Sequence, residues 1–179
     1  MCRASLGLRE DESSRGSYPA LADGLRKLVE DFKHDAVQLF RRMIFNMLVS
    51  NHDDHLRNHA VILDKVGWRL SPAYDLVPHP QSSYTHMQGI GVSSQSREAS
   101  MKNALSEAAR FGLTRSRATQ IAAEVRDHVE GWEPVFSESG VSSKDIGALK
   151  TALLPESVIA GFPKPLGRKN RRAPSPRQN

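Results

Sequence analysis

Asn51-His52-Asp53-Asp54-His55-Leu56-Arg57-Asn58, followed after a short apolar stretch by Ser71-Pro72-Ala73-Tyr74-Asp75-Leu76-Val77-Pro78, is the one place in this 179-residue chain where ionisable residues cluster. The residues around it decide the fold. On its N-terminal side, Ala36, Leu39, Phe40, Met43, Ile44, Met47 and Leu48 recur at three- and four-residue spacing, with no Pro or Gly between them. That spacing predicts a buried helix over 35–50 that delivers a polar loop. On its C-terminal side, two apolar runs, His59 to Leu63 and Trp68 to Leu70, flank Asp64-Lys65-Val66-Gly67. Such a pair predicts a β-hairpin, which turns the chain back and returns Asp75 towards the loop.

This layout supplies a carboxylate at Asp53, an amide five residues on at Asn58, and a second carboxylate at Asp75. Phosphoryl transfer uses these types. In protein kinases a catalytic-loop Asp takes the substrate hydroxyl proton, an Asn five residues later holds magnesium, and a further Asp holds magnesium against the phosphates. Asp53 and Asn58 have the kinase spacing. The usual Asp-Phe-Gly is absent, and Tyr74-Asp75-Leu76 stands in its place.

The loop, together with Trp68-Arg69-Leu70-Ser71-Pro72-Ala73-Tyr74-Asp75-Leu76-Val77-Pro78, resembles the C-terminal domain of HipA-type toxin kinases, the serine/threonine kinases of bacterial toxin-antitoxin modules. The likeness covers roughly residues 3–155 and is most specific between 46 and 78. It implies a mainly α-helical, protein-kinase-like C-lobe, a helical bundle with a small β-hairpin beside the catalytic loop. It implies Asp53 as the catalytic base, Asn58 and Asp75 as magnesium ligands, and His55, Leu56, Arg57, Asn58, Tyr74 and Asp75 as the nucleotide-binding residues. The implied cofactors are ATP and magnesium. The implied substrate is a Ser or Thr hydroxyl on a protein of the translation machinery, aminoacyl-tRNA synthetases being among the family's targets. The implied partner is a small helix-turn-helix antitoxin, through which the chain reaches DNA indirectly. The family usually has Lys where Arg57 stands, a change that keeps the charge but alters donor geometry.

Composition sets the frame. The length suits one domain with a substantial core, too short for a two-lobed kinase of this family. No run of 18 apolar residues and no signal-peptide centre is present, so the expected location is cytoplasmic, away from membranes. The single cysteine, Cys2, excludes an intrachain disulfide framework. The net charge of +5 is unevenly placed: Lys164, Arg168, Lys169, Arg171, Arg172 and Arg177 carry it, and without those six the remaining 19 bases face 20 acids. The expected division is therefore a domain over 1–155 and a disordered, Pro-rich basic tail over 156–179.

Along the chain, residues 1–17 read as a polar loop that sits mid-domain in the family. Tyr18-Pro19 opens a helix to about Lys33, with Leu21, Leu25, Leu28 and Phe32 on one face. Residues 78–96, rich in Ser, Gln and Gly, read either as a substrate-docking or activation segment or as a solvated connection. Residues 97–111 predict a helix stopped by Gly112, Thr114 caps another, and Ser142 or Ser143 caps a third that ends before Pro155. Trp132 and Phe136 read as core or loop anchors.

Other readings use the same residues. His52, His55 and His59, with the His52-Asp53 pair, have a spacing compatible with a metal-dependent phosphohydrolase of the HD type, for which His34 and His128 are the remaining helical candidates. The loop also reads as a plain turn between helix and hairpin. No Gly-rich phosphate loop and no strand Lys to grip the phosphates occurs in the sequence. A catalytically inactive truncated toxin that binds antitoxin or nucleotide, or one half of a split kinase whose N-lobe is a separate chain, therefore stands beside the active kinase.

Overall fold

Ser17 starts the first helix by accepting the Ala20 N–H at 3.2 Å, and Pro19 falls in the first turn, where its missing donor costs nothing. The computed structural model describes residues 16–79 and 86–164. Helix α1 (Tyr18–Leu28) ends earlier than its apolar pattern suggests, because Val29 is extended and the Glu30 N–H donates to Trp68 O at 3.2 Å. Phe32, expected on the same helix, instead begins α2 (Phe32–Leu48), which Asp31 caps by accepting from His34 N–H. Helix α2 is the axis of the fold. Leu39, Phe40, Met43, Ile44, Met47 and Leu48 have no exposed surface, and such side chains stabilise by about 1.5–3 kcal/mol each when buried.

Strands β1 (Val61–Leu63) and β2 (Trp68–Leu70) pair antiparallel, Val61 opposite Leu70 and Leu63 opposite Trp68. Asp64 holds the turn by accepting the Val66 and Gly67 N–H groups at 2.7 and 3.1 Å. The hairpin is fixed to α2 through Asp35. This buried carboxylate takes the Arg69 guanidinium at 3.0 and 3.1 Å and the Leu70 N–H at 3.1 Å.

Helix α3 (Met101–Ser106) starts four residues later than the sequence pattern predicts. The Gln88 N–H donates to Arg97 O, and Met87 and Glu98 bridge antiparallel, so residues 97–99 pair across the chain and Ser100 becomes the cap. A 3₁₀ turn (Ala108–Phe111) follows and stops at Gly112, whose φ of 70° favours a residue without Cβ. Phe111 meets Phe40 edge to face with centroids 5.3 Å apart, closing the core between α1, α2 and α4 (Arg115–Val129).

Three short helices complete the described chain: α5 (Trp132–Glu138), α6 (Ser143–Leu149) and α7 (Glu156–Ile159). Helix α5 was not expected around Pro134, which sits in the first turn where helices tolerate it. Helix α7 lies within the range expected to begin the tail, and Val158 and Phe162 are buried in the core. The remaining tail residues, 165–179, lie outside the described residues. The molecule is mainly helical with a two-stranded hairpin. No described helix is long and apolar enough to cross a membrane.

Candidate active site

Helix α2 ends on a left-handed residue, Ser50 (φ 52°), and the Asn51 N–H reaches back to Asn46 O at 3.0 Å, the wide bond that closes a helix on such a residue. The chain turns sharply there into the loop. Asp53 is exposed, whereas Asp54 is 1% exposed.

Beneath the loop lies a buried polar network. The Tyr18 hydroxyl donates a short hydrogen bond to Asp54 Oδ2 and accepts from Asn46 Nδ2 at 2.8 Å. Asn51 Nδ2 donates to Asn46 Oδ1 at 3.3 Å. On the other side of Asp54, His59 Nε2 lies 3.1 Å from Oδ1, and Arg42 Nη1 approaches His59 Nδ1 at 3.5 Å. A guanidinium only donates, so Nδ1 is the acceptor in that contact, while Nε2 meets Asp54 as a close contact without a hydrogen bond. Burial, and then the Asp54 carboxylate, push the Tyr18 phenol well above its ordinary value, which keeps it a donor at neutral pH.

The returning segment is tied to this loop at two points. The Tyr74 hydroxyl donates to Arg57 O at 2.7 Å, on the 3₁₀ turn Leu56–Asn58. Asn51 Nδ2 also reaches Asp75 O, at 3.4 Å. Asp75 has a φ of 57°, a conformation that Asp tolerates better than most residues. Its side chain is exposed.

A third segment covers the loop from the side. His52 Nδ1 donates to Met87 O at 2.8 Å, and Gly89 lies so close to the loop that a Cβ there would come within 2.1 Å of Asp54 O. Only glycine permits that approach. Ile90 and Val92 are buried, so the described part of 78–96 is a packed strap and not a solvated connection; residues 80–85 lie outside the described residues. His86 faces His52 with ring centroids 6.0 Å apart. Burial lowers the pKa of both imidazoles.

The residues named from the sequence divide accordingly. Asn58 Nδ2 donates to Asp53 O at 3.3 Å, which leaves its Oδ1 without a partner among the described residues. The carboxylates of Asp53 and Asp75 have no hydrogen bond or ion pair among the described residues either. A hard cation takes oxygen donors, and an amide oxygen with a carboxylate is a donor set that fits magnesium. Leu56 packs against Gly16, while His55 is half-buried with Nδ1 unpartnered and Arg57 is exposed. The metal-hydrolase reading gains nothing: among the described residues no three His, Cys, Asp or Glu side chains gather closely enough to hold a metal ion. His59 faces Asp54, and His34 and His128 lie in a groove beyond the hairpin.

The family model described as the HipA-like C-terminal domain matches residues 1–132. The chain belongs to this family. No curated protein matches it. In this HipA-like domain the sequence reading missed Tyr18, Asn46 and Asp54 and took His59 for a metal-ligand candidate; all four are buried. One signal was available: Asn46 lies on the apolar stripe of α2, three residues after Met43, where a polar residue needs a buried partner.

Proposed function

We propose that the chain is the helical, catalytic part of a HipA-family serine/threonine protein kinase that uses ATP and magnesium. One observation carries the reading. The loop is held from below by a network that engages Asp54, while Asp53, Asn58 Oδ1 and Asp75 keep oxygen atoms free of protein partners. Oxygen donors held on a fixed backbone and left unpaired are what positioning and charge stabilisation require.

In this reading Asp53 accepts the proton of a substrate Ser or Thr hydroxyl and orients its oxygen for attack. Asn58 and Asp75 hold magnesium, whose charge offsets that of the phosphates. His55, Leu56, Arg57 and Tyr74 flank the nucleotide, and the Tyr74 bond to Arg57 O keeps the two walls in register. The substrate is a protein of the translation machinery, and a helix-turn-helix antitoxin links the complex to DNA. The 179 residues contain no Gly-rich phosphate loop, so that part is proposed to come from elsewhere in the protein or from a separate chain.

Radiolabel transfer from ATP with magnesium tests this reading. The chain alone should transfer little, and transfer should appear when a polypeptide bearing the Gly-rich loop is added. Asp53→Asn should then abolish transfer while nucleotide binding persists. Full transfer by Asp53→Asn would remove Asp53 as the base.

A further inference from the structure

Behind the segment that carries Asp75 lies a groove of about 870 Å³, between α2, the hairpin, the end of α4 and α5. That volume is in the range of small-molecule sites, roughly 300–1,000 Å³. Its walls are mostly apolar, with Trp132, Val135 and Phe136 on one side and Ile62, Pro72 and Leu76 on the other. Val135, Phe136 and Leu153 lie beyond the 132 residues that the family model matches.

The charges lining the groove do not balance. Arg41 pairs with Glu124 at 2.9 Å and Arg69 with Asp35 at 3.0 Å, while Asp64 is engaged by its own turn. Arg42 is different. It is 8% exposed, and among the described residues no carboxylate lies within ion-pair distance of it. Of its five N–H donors, one is directed to Ser71 O at 2.6 Å and one approaches His59 Nδ1, while Nε is buried without any partner. The nearest opposing charge, Asp54, stands on the far side of His59 and offsets the cost of burial only in part, so that burial holds the pKa of Arg42 below the ordinary value.

We propose that this groove binds a small anion with an apolar body, of the class of aromatic or short aliphatic carboxylates. Its head sits at Arg42 and its body lies against Trp132, Val135 and Leu76. A neutral apolar compound would leave the buried charge of Arg42 only partly offset by Asp54, and an acidic macromolecule would find the remaining charges already paired. Pro72, Ala73, Leu76 and Pro78 line the groove and Tyr74 and Asp75 do not, so a ligand here leaves the proposed metal and nucleotide residues uncovered.

Fluorescence titration with 8-anilinonaphthalene-1-sulfonate, an anionic head on an apolar body, tests the proposal against N-phenyl-1-naphthylamine, a similar body without the charge. The sulfonate should bind one saturable site, and the neutral probe at least about tenfold more weakly, the ratio expected for one charge-assisted hydrogen bond. Val135→Asp, at a position 57% exposed on the groove wall, should weaken the sulfonate by at least about tenfold without lowering the melting temperature. Arg42→Gln should erase the preference between probes; should it fail to fold, the probe pair and Val135→Asp still decide. Equal binding of both probes, or sulfonate binding unchanged in Val135→Asp, would overturn the proposal.

Discussion

Asp53 and Asp54 are neighbours in sequence and opposites in the structure. Asp53 faces solvent with an unpartnered carboxylate, and Asp54 is enclosed between Tyr18 and His59. The same contrast runs through the whole loop. On the outer side stand Asp53, Asn58 Oδ1 and Asp75; on the inner side stand Tyr18, Asn46, Asp54, His59 and Arg42. In the proposed kinase reading the outer groups must keep free lone pairs, and free groups cannot hold a loop in place, so the work is divided between adjacent residues. The left-handed turn at Ser50 allows the division by ending α2 abruptly enough for the loop to present two sides.

The largest effect should come from the inner side. Asp54→Ala leaves the Tyr18 hydroxyl buried without its acceptor and the buried Arg42 guanidinium without the opposing charge of Asp54, and should cost about 3–5 kcal/mol in urea unfolding. Asp53→Ala should change stability by no more than about 0.5 kcal/mol, as exposed positions do. Comparable losses from the two would erase the contrast. Tyr18→Phe sharpens it, removing one bond from the same network for about 1–3 kcal/mol.

Asp35→Ala comes next. It detaches the hairpin from α2 by leaving the Leu70 N–H and the Arg69 guanidinium without an acceptor. Arg69 is partly exposed, so water compensates in part and the loss should be about 1.5–3 kcal/mol. Because the hairpin delivers Asp75, magnesium-dependent nucleotide binding should weaken in this variant even under conditions where it stays folded.

A smaller effect follows from His52 and His86, whose pKa values burial depresses. The unfolded chain takes up their protons near pH 6.5, while the folded chain resists protonation. Stability is therefore complete above about pH 6.5 and declines as the pH falls below it. Melting temperatures measured between pH 7.5 and 5.5 should show the decline, and His52→Gln should flatten it. An equal slope in the variant would assign the pH dependence to other groups.

The smallest expected change is a gain. Ser50 holds a left-handed backbone with its hydroxyl buried and unpartnered, so Ser50→Gly should stabilise by up to about 1 kcal/mol. A loss would mean that the hydroxyl has a partner such as bound water.

Much of the outer side was legible in the sequence. The apolar stripe before residue 50 and the Asp-to-Gly hairpin are local patterns, and the structure places both where the pattern puts them; the spacing from Asp53 to Asn58 is a local pattern too, and its role is the one proposed above. The inner side was not legible. The bond between Tyr18 and Asp54 spans 36 positions, and nothing local tells which of two adjacent aspartates turns inwards. The start of α3 was misplaced for the same reason: pairing of 97–99 with the strap, a tertiary contact, overrode helical propensity. Phe32 fitted the face of α1 equally well, until the capping of α2 by Asp31 decided otherwise.

The most direct test of the outer side is a calorimetric titration of ATP, with and without magnesium, into the wild-type chain, Asp53→Asn and Asp75→Ala. The two-sided loop predicts weak, magnesium-dependent binding by wild type, the same binding by Asp53→Asn, and loss of the magnesium dependence in Asp75→Ala at a temperature where that variant stays folded. Undiminished magnesium-dependent binding by Asp75→Ala, or no binding by the folded wild-type chain, would contradict it.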